Sequence, residues 1–291
     1  MTSTPTPRLD VRKTYKLYLG GKFPRSESGR SYQVLDAAGG FAANAAMASR
    51  KDARDAVLAA RKAFAGWSGA TAYNRGQVLY RIAEVLDGRR HQFAELVTAA
   101  EGVPDGLAVV DAAVDRWVWY AGWSDKIAQV AGTANPVAGP YFNLSSPEPT
   151  GIVAVLAPQD SSLLGLTSVL APAIVSGNTA VVVASRTRPL PAVTLAEVLA
   201  TSDVPGGVVN LLTGVTTELA PWLAGHEDVN ALDLAGARDL DWPALEHAAA
   251  ATLTRVVRPS RDEPDWAAEP PGPARILAFL ETKTVWHPKG R

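Results

Sequence analysis

From Thr150 onward the sequence alternates short, almost wholly apolar runs with helix-length segments, and this alternation constrains the fold more than any other feature. Runs at 151–156, 179–183, 208–212 and 229–234 are interleaved with helical stretches at 162–176 and 190–201 and followed by one at 243–251. Continuous apolar runs predict strands buried on both faces, as in a parallel sheet covered by helices. The expected fold class is α/β, with a doubly wound parallel sheet. At 291 residues and 47% hydrophobic content the chain has enough apolar matter for a sizeable core, in one large domain or two smaller ones.

The first hundred residues read as helical cover. Two short strands are expected at 16–23 and 32–36, separated by a Ser-Glu-Ser-Gly turn. A helix follows from Ser49. Ser49 and Asp52 have the spacing of a capping box, and Ala53, Ala56, Val57, Ala60 and Phe64 share one helical face. Val78, Ile82, Val85 and Leu86 define a second such face, and Phe93, Leu96 and Val97 a third. Trp117, Trp119, Tyr120 and Trp123 spread around a further helix, so the spacing assigns some to the core and others to a subunit interface. Residues 132–149, rich in Pro, Gly, Ser and Asn, suit a projecting hairpin. Residues 259–274 contain five prolines and read as an extended linker, and residues 1–14 as a flexible polar tail.

Composition removes several function classes. Lys plus Arg (28) balances Asp plus Glu (29), so no net field draws the chain to nucleic acid or an acidic membrane. The most apolar stretch, 163–175, is too short to cross a bilayer, and the N-terminus lacks the apolar core of a signal peptide. A cytoplasmic location is the expectation. Cysteine is absent, which excludes a disulfide framework and thiolate metal sites. The four histidines show no metal-binding spacing.

A series of ordered blocks carries a family likeness. Leu17-Tyr-Leu-Gly-Gly-Lys-Phe23, Ala59-Ala-Arg-Lys-Ala-Phe-Ala-Gly-Trp-Ser68 and Tyr120-Ala-Gly-Trp-Ser-Asp-Lys126 come first. Pro149-Thr-Gly-Ile-Val153, Ala157-Pro-Gln-Asp160, Pro172-Ala-Ile-Val-Ser-Gly-Asn-Thr179, Pro189-Leu190 and Val204-Pro-Gly-Gly-Val-Val-Asn-Leu-Leu-Thr-Gly214 follow. Together they resemble the aldehyde dehydrogenase superfamily over residues 15–258. The resemblance implies a Rossmann-like, dinucleotide-binding-type domain. It then stops: the family's next portion, a catalytic domain with a nucleophilic cysteine, is replaced by the proline-rich linker. The closing segment, Ile276-Leu-Ala-Phe-Leu-Glu-Thr-Lys-Thr-Val-Trp286, again resembles the family, here its C-terminal oligomerisation strand. That implies oligomerisation contacts at Phe279, Leu280, Thr282, Thr284, Val285 and Trp286 over residues 275–291.

The resemblance also locates what has been lost. Family members attack aldehydes with a thiolate, and no thiolate exists here. Gln159-Asp160 stand where the family has Trp-Asn, whose amide holds the oxyanion. A carboxylate at Asp160 would repel that charge, or else it caps the helix starting near Ser161. The ribose-binding lysine aligns with Val183 and its companion glutamate with Arg186. Gly236 survives from the pyrophosphate turn, but Ala237 and Asp241 replace its serine and second glycine. The remaining weak candidates for cofactor contact are Gly236, Arg186 and Pro158, and no catalytic or metal residue is expected. Gly177 and Asn178 suit a turn into a strand. The expected function is a non-catalytic subunit that assembles with a full-length, NAD(P)-dependent aldehyde dehydrogenase. No cofactor is expected on this chain, with NAD or NADP on the partner and weak residual binding possible. The alternatives are an NAD(P)-dependent aldehyde oxidoreductase in its own right and a nucleotide-sensing regulatory subunit.

Overall fold

The computed structural model describes residues 13–262 and 264–290, so most of the expected N-terminal tail lies outside the described residues. Three short strands, β1 (Thr14–Tyr15), β2 (Ser31–Leu35) and β3 (Phe41–Ala46), form a small sheet in the order β1-β3-β2. The strand expected over 16–23 is instead a tight reversal. Leu19 and Lys22 exchange backbone hydrogen bonds of 2.9 and 3.0 Å around Gly20 and Gly21, whose φ values of 57° and 80° suit glycine. Tyr18 bridges to Leu211 and so pins this reversal to the main sheet.

Five helices follow: α1 (Arg50–Ser68), α2 (Ala72–Gly88), α3 (Arg90–Glu101), α4 (Gly106–Ala121) and α5 (Ile127–Ala131). The capping box at the start of α1 is formed as the spacing predicts, with Asp52 Oδ2 accepting from the Ser49 amide at 2.8 Å. Its buried face holds Ala53, Ala56, Val57 and Ala60. Phe64 is only half-buried; the anchoring aromatic is Trp67, whose indole N–H donates to the Ile174 carbonyl at 2.9 Å. On α4, Trp117 and Tyr120 are buried while Trp119 and Trp123 lie half-exposed against one another.

Residues 132–149 form the projecting hairpin, with β4 (Thr133–Asn135) antiparallel to β5 (Tyr141–Pro149). The main body then alternates β6 (Ile152–Leu156), α6 (Leu164–Val175), β7 (Thr179–Val183), α7 (Leu190–Ala200), β8 (Val209–Leu212), α8 (Thr216–Ala224), β9 (Ala231–Asp233), α9 (Trp242–Ala250) and β10 (Arg255–Val257). Its five strands are parallel, in the order β10-β9-β6-β7-β8. Every residue of β6 and β7 is buried, which explains the unbroken apolar runs. The chain closes with α10 (Ala274–Ala278) and β11 (Leu280–Pro288), and β11 joins the hairpin in the order β11-β5-β4.

Residues after β10 do not run as an extended linker throughout. Trp266, Ile276 and Phe279 are buried in the main apolar core, and Arg116 of α4 donates to the carbonyls of Trp266 (2.8 Å) and Glu269 (2.9 Å). The prolines of 259–274 prevent a continuous helix without preventing this segment from packing.

Candidate functional site

In an open parallel sheet, ligands bind beyond the carboxyl ends of the strands where the strand order reverses, here between β6 and β9. The loop leaving β6 carries Pro158, Gln159 and Asp160. Pro158 is buried and packs near Gly165 of α6. Gln159 laces the neighbouring strand ends together. Its amide nitrogen donates to the Ala157 carbonyl at 2.8 Å, its amide oxygen accepts from the Arg186 amide at 3.1 Å, and its carbonyl accepts from Ser185 Oγ at 2.8 Å.

Asp160 does not cap the helix near Ser161. That helix begins at Leu164, and Ser161 Oγ accepts from the Gly165 amide at 2.9 Å. Asp160 instead draws in two guanidinium groups, Arg188 at 3.2 Å from the β7 loop and Arg238 at 3.7 Å from the β9 loop. Two cations in reach outcompete a single helix terminus for an exposed carboxylate. The sequence reading missed Ser185, Arg188 and Arg238; the only signal was their position just past apolar runs.

Gly236 is required by packing. A Cβ there would stand 1.8 Å from the Ala157 carbonyl oxygen, and the Gly236 amide donates to the Leu156 carbonyl at 2.8 Å. The β6 and β9 loops therefore touch directly, bringing Gly236 beside Pro158. Arg186, whose amide meets Gln159, lines a cavity of about 780 Å³ together with Tyr32, Asp36, Glu101 and Arg188. Burial raises the Tyr32 hydroxyl well above its ordinary pKa, against the opposing pull of Arg186 and the Gly214 amide, so the phenol stays neutral. Glu101 is occupied by the Ser162 amide and hydroxyl, each at 2.6 Å.

The residues present do not fit a bound dinucleotide. A slot of about 230 Å³ lies between α8 and α9, walled by Ala220, Pro221, Leu240 and Ala244. The adjoining N-terminus of α9 is closed by its own chain, with Asp241 Oδ1 accepting from the Ala244 amide at 3.1 Å. A pyrophosphate approaching that helix terminus meets the negative charge of Asp241, already seated on one of its amides. Ala237, where the resemblance expects a hydroxyl, is fully buried. Among the described residues no group of His, Asp and Glu is arranged to hold a metal, and no helix is long and apolar enough to cross a membrane.

The aldehyde dehydrogenase family profile matches residues 23–258 of this chain. The chain belongs to the aldehyde dehydrogenase family. Its similarity to the Bacillus subtilis protein DhaS is 30% identity over 262 residues, covering 86% of this chain and 51% of DhaS. Retinal dehydrogenase 2 of Mus musculus is also 30% identical, over 87% of this chain and 49% of its own length. Among solved structures, PnpE from Pseudomonas sp. WBC-3 superposes with a TM-score of 0.79 at 27% identity, covering 84% of this chain and 50% of PnpE. The chain thus spans about half the length of these family members. The family's α/β architecture is retained with its parallel sheet, and the match ends at the start of the proline-rich segment.

Proposed function

We propose that this chain is a non-catalytic aldehyde-dehydrogenase-like subunit that assembles with, and supports, a full-length NAD(P)-dependent aldehyde dehydrogenase. The observation that carries this reading is a fully built arm on a chain with no cysteine. β11 pairs with β5 along its whole length, from Leu280 opposite Pro149 to Pro288 opposite Tyr141. Thr284 and Ser145 join their hydroxyls at 2.8 Å, Lys283 pairs with Glu148 at 3.1 Å, and Tyr141 meets Trp286 edge-on at 5.7 Å.

This investment in geometry leaves apolar surface uncovered. Phe142 is 57% exposed and Trp286 56%, with Leu144 and Tyr141 also open. β11 is moreover an edge strand, so one row of its backbone donors and acceptors faces away from the sheet. A full-length family member would supply both the covering surface and the thiolate. Phe279 and Leu280 are buried at the root of the arm, so of the six residues expected at the interface these two hold the arm to the body. Thr282, Thr284, Val285 and Trp286 remain for the partner.

The closed N-terminus of α9 supports a role without a cofactor on this chain, and the balanced charge supports neither a nucleic-acid nor a membrane partner. The assembly belongs, in this reading, in the cytoplasm. Affinity purification of the tagged chain from its native cell, followed by mass spectrometry, is expected to recover a cysteine-containing, full-length aldehyde dehydrogenase. A stable, soluble monomer that captures no such enzyme would falsify the assignment.

A further inference from the structure

The segment that follows β10 leaves the sheet where a catalytic domain departs in the full-length pattern, and the chain's own residues show what it does instead. Trp266 lies against α6, its indole nitrogen 3.0 Å from where a Cβ on Gly165 would stand; only glycine leaves that room. Arg116, buried in α4, donates to Ser168 Oγ of α6 at 3.0 Å and ties the segment down with two further donations, to the Trp266 and Glu269 carbonyls. Arg275 sits over the Trp266 ring, 5.4 Å from its centroid, and reaches the fully buried Asp233 carboxylate of β9 at 2.9 Å. Arg255 of β10 donates to the carbonyls of Ala278 (3.0 Å) and Leu280 (2.7 Å), and Asn178 to that of Phe279 (2.9 Å). Ile276 and Phe279 complete the apolar cover. A buried arginine such as Arg116 that satisfies carbonyls of a distant segment is expensive to leave unpaired, so its placement argues for a contact kept closed.

We propose that residues 264–279 form an intramolecular strap that seals the face of α4, α6 and β9, so that this chain offers an aldehyde dehydrogenase its arm and no second docking face. The proposal rests on the reading of the arm given above. Assembly is then one-directional: the chain occupies an arm-receiving surface on the full-length enzyme and cannot itself receive a domain across the strapped face. Copies of it do not propagate an oligomer through that face, and each one ends the array where it binds.

The absence of native cysteine makes the test clean. Ser168 is buried and lines a small cavity of about 100 Å³ beneath Trp266, whereas Ser146 on the arm is exposed. A single thiol at Ser168→Cys in the otherwise intact chain is expected to react with a thiol reagent on the order of 100-fold more slowly than one at Ser146→Cys, because labelling requires local opening. Adding Trp266→Ala should speed the Ser168→Cys reaction roughly tenfold or more while circular dichroism stays native. Equal rates at the two single-thiol sites overturn the strap without any further variant. Capture of the full-length enzyme is read in parallel: Phe142→Asp with Trp286→Asp should abolish it, and Trp266→Ala should leave it intact. Loss of capture in a folded Trp266→Ala chain with retention in the arm variant makes the segment a docking surface and overturns the proposal. In a chain that captures no enzyme at all the arm reading fails, and the labelling rates still decide whether the strap is closed.

Discussion

Asp233 has no exposed surface, and burial raises its pKa against the opposing pull of Arg275 and the Ala235 amide. A folded state that holds this proton more tightly than the unfolded chain gains stability as pH falls towards the ordinary aspartate value of 3.8, and loses it as pH rises through the folded value. Asp233→Asn should therefore flatten the pH dependence of the urea midpoint above pH 4, with the wild type declining relative to the variant as pH rises. Removing only the cation is harsher. Arg275→Met leaves a buried carboxylate without its partner and is expected to cost about 3–5 kcal/mol in urea denaturation, with the double variant recovering some of that loss. Glu197 behaves with the opposite sign. Burial pushes its pKa up, but hydrogen bonds from Lys13 and Arg89 outweigh it and the net shift is downward. Its contribution is present above the ordinary value of 4.5 and disappears as pH falls through the folded value, so Glu197→Gln should lose stability at neutral pH and little in acid. Residue-scale chemistry of this kind was only partly legible in the sequence. Ser49 and Asp52 announce themselves because a cap is local, whereas Asp233 and Arg275 meet across 42 residues and carry no spacing signal.

Elements differ in how openly they declare themselves. β6, β7, α6 and α7 stand out because burial on every side leaves long apolar runs, and α6 has no exposed residue from Leu164 to Val175. β3 reads Phe-Ala-Ala-Asn-Ala-Ala, where small side chains erase the alternation that marks a strand. α10 has five residues, and β10 three half-buried ones, too few for a period to show. At the site, Gly236 stands out in the sequence as a retained glycine and Asp160 as an altered position. Gly236 lets two loops touch and Asp160 gathers arginines, and both depend on the crossing of β6 and β9 in space. Gly236→Ala should accordingly destabilise the fold by about 1–3 kcal/mol or more through overpacking against Ala157, measured by thermal or urea unfolding. Lys283→Glu, which places like charges across the exposed arm at Glu148, should change stability by no more than about 1 kcal/mol.

At the scale of the whole molecule, the part that matches the family, residues 23–258, comprises the sheet, its helical cover and the hairpin, to which β11 adds a third strand. The α/β class and the hairpin followed from composition and periodicity alone, while the folded course of residues 264–279 did not, because proline content speaks to helix formation and not to packing. Calorimetry should show no heat on titrating NAD or NADP to millimolar concentration. Asp241→Ser, which removes the carboxylate from the start of α9, is the variant in which weak binding should first reappear. Saturable NAD heat from the wild-type chain would contradict the closed helix terminus.

The pairing of Leu280 with Pro149 brings together two points of the chain separated by the whole parallel sheet. The chain enters the sheet just after Pro149 and comes back beside that point at Leu280, and from that junction two strands run outward together to Tyr141 and Pro288. A load applied at the outer end of the arm therefore reaches the sheet at a single point from both chain directions. It would swing the body about that point as a rigid pendulum instead of stretching it, while the arm itself, pulled at its tip, would unzip pair by pair from Tyr141 and Pro288 inward.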